Sequence, residues 1–117
     1  EAYLLSLKSD VMDRLFEKEI PTALRHLDVT VLTRLIFMKL LAFDEVQLDN
    51  ENSITYSSIE TEAIDAAATG KCDLAFILNP TSINQVQTVA EQGLIMPRKS
   101  TYFFPKVITG QVFNCLK

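Results

Sequence analysis

Histidine and cysteine, which build many metal centres and catalytic sites, are rare in this chain. The 117 residues include one histidine, His26, and two cysteines, Cys72 and Cys115. The cysteines are too far apart in the sequence for a metal or redox motif, so we interpret them as free thiols in a reducing cytosol. No nucleophile motif accompanies His26, which removes the argument for a triad. The sequence therefore predicts no metal site, and it identifies neither a catalytic residue nor a cofactor.

Glycine and proline are also scarce, at three and four residues, while hydrophobic residues make up 48% of the chain. A linker or a disordered arm has the opposite composition. A chain of this length can bury one core but not two. We therefore expect a single folded domain over residues 1–117.

Neither an excess of positive charge nor a long apolar run is present. Lys and Arg number 11 against 15 Asp and Glu, so the net charge is −4, whereas a nucleic-acid surface needs clustered cations. The apolar run at residues 35–43 is interrupted by Lys39 and falls short of the ~20 residues that span a bilayer. Residues 1–8 show no signal-peptide pattern. We predict a cytoplasmic protein that binds neither nucleic acid nor a membrane.

The pattern of apolar residues predicts an α/β (or α+β) fold, with a small mixed β-sheet of about four to five strands flanked by about four helices. Strands are expected at residues 3–8, 54–56, 74–78, 101–104 and 111–113. The run at 74–78 is apolar throughout, as in a strand buried on both faces. Together with the strand at 54–56 and the helix between them, it predicts a right-handed βαβ unit.

The first two predicted helices differ in their apolar patterns. The first follows Ser9 and Asp10 as its cap and has one apolar side, formed by Val11, Met12, Leu15 and Phe16. The second, residues 29–43, is apolar around most of its circumference, so we expect it to be central and covered on two sides. Residues 44–53 then hold four carboxylates, but they lack the Gly and the final Glu of a calcium loop. We interpret them as a solvated connection.

The other two helices carry clear end signals. A capping box of Ser57 and Glu60 starts the helix at residues 59–69, and Gly70 ends it. The last helix follows a cap at Thr81 or Ser82 and ends at Gly93. Its inward positions are Ile83, Val86 and either Val89 or Ala90.

The turn between the strand at 74–78 and the last helix is the first candidate binding site. Ligands of open α/β sheets bind beyond the carboxyl ends of strands, and a helix N-terminus suits an anion. Asn79, Thr81 and Ser82 would add amide and hydroxyl groups there. The alternative is plain helix capping, with Pro80 fixing the turn.

A second candidate block gathers Arg98, Lys99, Ser100 and Thr101, with Lys106 close behind. It resembles a P-loop but lacks the second Gly and the strand-to-helix context, so we reject a P-loop. Two cations and two hydroxyls would suit a phosphate or a carboxylate, or they form a solvated turn. The aromatic residues 102–104 are interpreted as core or interface positions, with a stacking platform as the alternative.

Several segments resemble a bacterial and archaeal family of uncharacterised conserved proteins, DUF1015. They are residues 4–8 (LLSLK), 27–32 (LDVTVL), 75–81 (AFILNPT) and 96–106 (MPRKSTYFFPK). Arg98 and the terminal Asn114-Cys-Leu depart mildly from the pattern. The resemblance implies the C-terminal domain of a longer cytoplasmic protein, which agrees with a chain that begins at Glu1. It supplies no established activity and no catalytic residue.

Two functions from different classes follow. In the first, the two candidate blocks share a positively biased hollow that binds an anionic small molecule, such as a nucleotide or phosphometabolite, and complete an active site with an N-terminal domain. In the second, the chain is a non-catalytic interaction or structural module. It would dock onto that domain or onto a second copy, as a homo-oligomer, with residues 103 and 104 as anchors.

Overall fold

The computed structural model describes residues 1–101, and within them the chain is helical. Six helices follow in order: α1 (Val11–Phe16), α2 (Thr22–Arg25), α3, α4 (Glu45–Asp49), α5 (Glu60–Ala68) and α6 (Ile83–Glu91). Helix α3 begins as Asp28–Thr30 and continues without a break as the π-helical segment Val31–Leu40. The backbone N–H of Leu41 still donates to the carbonyl of Ile36, which is the i→i+5 pattern of a π-helix.

The predicted α/β fold is wrong for the described part of the chain, because residues 1–101 contain no β-strand and therefore no sheet or βαβ unit. Residues 3–8, 54–56 and 74–78 are irregular instead. The strand at 111–113 and nearly all of that at 101–104 lie outside the described residues. An apolar pattern predicts which segments suit a strand, but a strand exists only when a second one supplies its hydrogen bonds.

Exposure confirms that these segments are not inner strands. Leu4 is 93% exposed, and Leu74 and Ile77 in the segment predicted to be buried on both faces are 65% and 51% exposed. Phe76 is half-buried because its ring packs edge-to-face on Phe37 of α3, with the centroids 5.5 Å apart. The segment 74–78 is thus anchored by one side chain and otherwise faces solvent.

The helix predictions fare better because their signals are local. The first helix is confirmed as α1, with Met12 and Phe16 buried on its inner side. Leu15 is 38% exposed, however, and Asp10 makes no side-chain capping bond. Gly70 and Gly93 follow α5 and α6 with φ of 74° and 65°, the left-handed conformation that a helix-ending glycine adopts. After each glycine, the next backbone N–H reaches back to a carbonyl five residues earlier, as in a Schellman motif.

Other helix details need correction. Residues 44–53 are not only a connection, since Asp44 caps α4 through a reciprocal capping box with Gln47. The Ser57–Glu60 box is not formed, and the Ser57 hydroxyl donates instead to the carboxylate of Glu62 at 2.7 Å. Ile83 is 67% exposed rather than inward. It lies at the first position of α6, where the neighbouring helix α2 does not cover it.

The core lies where α1, α2 and the start of α3 meet. Met12, Phe16 and Ile20 form a buried cluster, against which Leu24, Val31 and Leu35 pack. Helix α2 also contacts α6, where Val89 is 1% exposed. No residue of Val31–Leu40 is fully buried. Val31 and Leu35 pack against the core, whereas Phe37, on another side of α3, packs on Phe76. Within the described residues the helix thus has neighbours on two sides, but neither covers it completely.

A buried arginine joins the elements around this core. Arg25 is 6% exposed, and its guanidinium donates to Asp13 Oδ1 at 2.7 Å, to the Ile20 carbonyl at 3.0 Å and to Thr22 Oγ1 at 3.1 Å. All three nitrogens of the guanidinium thus have partners. Arg25 ties α1 to α2 and satisfies the backbone between them.

Many large hydrophobic side chains stay exposed within residues 1–101. Sixteen of them are at least 38% exposed, whereas five hydrophobic residues are fully buried in this part of the chain. Among the described residues, no helix is long and apolar enough to cross a membrane.

Candidate functional site

The two predicted blocks meet at one point. Thr81 Oγ1 donates to the backbone carbonyl of Ser100 at 2.8 Å. Ser100 belongs to a tight turn, because its backbone N–H and its hydroxyl both donate to the carbonyl of Pro97. The turn before α6 and the segment 97–101 are therefore neighbours in space, although they are separated along the chain.

Most polar groups of the first block have partners inside the chain. The backbone N–H and the Nδ2 of Asn79 both donate to Asp28 Oδ2, at 3.3 and 2.7 Å. Ser82 caps α6, since its hydroxyl accepts the N–H of Gln85 while Gln85 Oε1 accepts the N–H of Ser82. These contacts are structural, and the carboxylate of Asp28 disfavours an anion beside Asn79.

The cations of the second block face away from the first. Arg98 Nη1 lies 2.6 Å from Asp49 Oδ1 in an exposed ion pair. Lys99 has a φ of 58°, a left-handed conformation that is unusual for a residue with a side chain. Both line a cleft that contains none of Asn79, Thr81 and Ser82. Thr101 is exposed, and Lys106 lies outside the described residues.

The cleft has a volume of about 860 Å³, within the range of ligand-binding clefts. One wall comes from the chain between α1 and the start of α3, including Ile20 and Leu24. The opposite wall comes from α4 and the residues after it, including Leu48 and Ile54, and residues 97–99 close one end. Half-buried or buried apolar side chains thus form its inner surface.

The charges around the cleft do not favour an anion. Four carboxylates line it, those of Glu19, Glu45, Asp49 and Glu51, against three cations, Arg34, Arg98 and Lys99. Asp49 is paired with Arg98, and Glu19 Oε2 lies 4.0 Å from Arg34 Nη2. Glu45 and Glu51 then outnumber Lys99, so the remaining charge is negative.

A buried hydroxyl in the wall of the cleft has no hydrogen-bond partner. Thr30 is 6% exposed, and its Oγ1 is the one fully buried side-chain oxygen or nitrogen without a partner among the described residues. Leaving such a group unpaired costs about 1–3 kcal/mol. Thr30 is among the residues that line the cleft, but this oxygen is closed off from it as it is from solvent.

The sequence prediction missed Thr30 and the acidic wall of the cleft. Thr30 sits inside an apolar helix pattern, where a threonine carries no signal of its own. The acidic wall did have a signal, since residues 40–70 contain seven carboxylates and no Lys, Arg or His. The seven, all exposed, are Asp44, Glu45, Asp49, Glu51, Glu60, Glu62 and Asp65.

The described residues that line the cleft include neither a metal-binding arrangement nor Tyr3, whose pKa is raised. Among the described residues, no group of three His, Cys, Asp or Glu side chains is arranged to hold a metal ion. The pKa of Tyr3 is raised above its usual value because its hydroxyl donates to the carboxylate of Glu1, and this residue is remote in sequence from the cleft-lining residues.

Comparison of the chain with family models, curated proteins and solved structures finds no match in any of the three. The resemblance to DUF1015 therefore stays a prediction, and the site is interpreted from its own geometry.

Proposed function

We propose that this chain is a non-catalytic interaction module that completes its apolar burial by docking onto another polypeptide. The observation that carries the proposal is the set of sixteen large hydrophobic side chains that stay exposed within residues 1–101. Such a surface is costly in water unless it is covered.

The distribution of these side chains supports the same function. Those with at least 65% exposure lie before α1 and from the end of α3 onward: Tyr3, Leu4, Leu5, Leu40, Val46, Leu74, Ile83 and Ile95. Within residues 1–101, only five hydrophobic residues are fully buried: Met12, Phe16, Ile20, Leu27 and Val89. A domain of this size that functions alone would bury more of them.

An anion-binding function receives less support. It needs free cations and hydroxyls around one hollow, whereas Asn79, Ser82 and Arg98 have partners within the chain. The cleft that Lys99 lines is more acidic than basic. The proposal keeps the predicted cytoplasmic location, because Cys72 is a free thiol, as is usual in a reducing compartment.

We expect the isolated chain to bind a neutral apolar dye, such as Nile red, in its native state. A neutral dye is preferable because an anionic one would be repelled by residues 40–70. Replacing Val46 and Ile64 together by asparagine should lower the fluorescence without lowering the unfolding midpoint. These side chains are 76% and 49% exposed, so they contribute little burial to the folded monomer.

The matched control replaces two exposed polar residues, Lys18 and Thr61, by asparagine, which should leave the dye signal unchanged. Light scattering on the same samples gives the molecular mass. A dimer that no longer binds dye would identify a second copy as the docking partner. A monomer that binds no dye would contradict the proposed function, because its apolar surface would then be covered within the chain.

A further inference from the structure

The acidic residues of this chain are concentrated in one region that is also apolar. Residues 40–70 carry a charge of −7, so the rest of the chain, whose total charge is −4, carries +3. Leu40, Val46, Tyr56 and Ile59 lie in the same region and are between 51% and 76% exposed. Among the described residues, only Asp49 of the seven carboxylates takes part in an ion pair.

This acidic region forms one wall of the cleft. Glu45, Leu48, Glu51 and Tyr56 line it from that side, and the chain then continues into α5 with Glu60 and two further exposed carboxylates. The cleft thus belongs to a longer part of the chain in which carboxylates alternate with exposed apolar side chains.

Resting on the proposed function, we infer that the partner is a basic amphipathic peptide segment, and that the cleft receives one of its Lys or Arg side chains. The cationic head would lie between Glu45 and Glu51, and the aliphatic stem would pack on Leu48 and Ile54.

The chemistry of the surface excludes other occupants. A nucleic acid or an anionic membrane carries the same sign of charge as residues 40–70 and would be repelled. A second copy that docked through the same face would bring a second acidic region with it. A small amine would fill the cleft, but it would leave the exposed apolar residues of α4 and α5 uncovered. A basic peptide satisfies both the charge and the apolar surface.

The test uses a labelled amphipathic peptide of about 14 residues that contains only leucine and lysine. Fluorescence anisotropy should show saturable binding that weakens several-fold when the salt concentration rises from about 0.05 to 0.3 M. Two control peptides should bind at least about tenfold more weakly. In one, glutamate replaces every lysine, and in the other the same residues are scrambled so that no apolar face forms.

Protein variants locate the site. Reversing charge in the double variant Glu45→Lys/Glu51→Lys should weaken binding about tenfold, while the matched reversal Glu17→Lys/Asp73→Lys outside the region should leave it within about twofold. A second reversal on α5, Glu60→Lys/Glu62→Lys, provides an independent variant at exposed positions. Thr30→Val should leave binding within about twofold without lowering the unfolding midpoint, since this hydroxyl is buried and valine has the same shape and needs no partner.

The outcomes separate this inference from the proposed function. Equal binding of the lysine and glutamate peptides, or equal losses in both charge-reversed pairs, would overturn the inference. If the chain binds the apolar dye but not the lysine peptide, the module stands and the partner class is wrong. If it binds neither, both are wrong. A dimer that buries residues 40–70 would replace the basic peptide by a second copy.

Discussion

Replacing Arg25 by alanine is expected to reduce the free energy of unfolding by about 3 kcal/mol or more. Arg25 is 6% exposed, and the three nitrogens of its guanidinium donate hydrogen bonds of 2.7–3.1 Å to Asp13, the Ile20 carbonyl and Thr22. The substitution leaves the Ile20 carbonyl without this donor and removes the hydrogen bond that links α2 to Asp13 on α1. Urea unfolding followed by far-UV circular dichroism measures the change.

The matched control is Arg14→Ala on helix α1, where the side chain is exposed. It should change the free energy of unfolding by less than about 0.5 kcal/mol. Arg25→Lys should fall between the two, because an ammonium group cannot reach the partners in the fork geometry of a guanidinium. A loss for Arg25→Ala no larger than that for Arg14→Ala would contradict a structural role of the buried arginine.

Met12→Ala is the second substitution with a large expected effect, a loss of about 2–5 kcal/mol. Met12 is 1% exposed and packs with Phe16 and Ile20 in the buried cluster. Because so few hydrophobic residues are fully buried, the cavity would remove a large share of the core. The unfolding midpoint in urea measures the loss.

Leu15→Ala removes a similar apolar side chain three residues further along α1, where it is 38% exposed. It should cost about 1 kcal/mol or less, since less apolar surface is withdrawn from water there. Similar losses at the two positions would show that α1 does not bury its inner side as described.

The parts of the fold that were predicted correctly depend on contacts within a few residues. Ser82 and Gln85 form the capping box of α6 wherever that helix packs. Gly70 and Gly93 end helices because each adopts a left-handed conformation that costs glycine little. The sequence specifies such signals directly.

The sheet was predicted wrongly because strand pairing is not a local property. Residues 74–78 suit a buried strand by composition, but within residues 1–101 no second strand pairs with them. Residues 74–78 are instead held in place by side-chain packing, because Phe76 contacts Phe37 on α3. The full burial expected for α3 is not a local property either, because it depends on elements that lie far from α3 in the sequence.

The candidate site was predicted only in part for the same reason. Arg98 and Lys99 were predicted to bind an anion. The sequence does not show that Arg98 forms an ion pair with Asp49, 49 positions away. That contact turns the block toward an acidic cleft rather than toward Asn79 and Ser82. The unpaired hydroxyl of Thr30 is visible only after α3 is placed against the cleft.

The heat capacity change of unfolding, measured by scanning calorimetry on the isolated monomer, tests most directly whether the chain leaves its apolar surface uncovered. A compact domain of 117 residues would give about 1.6 kcal/mol/K. The exposed hydrophobic side chains of residues 1–101 predict a clearly lower value, because less apolar surface is withdrawn from water on folding. A value clearly below about 1.6 supports an interaction module, and a value at or above about 1.6 would contradict it.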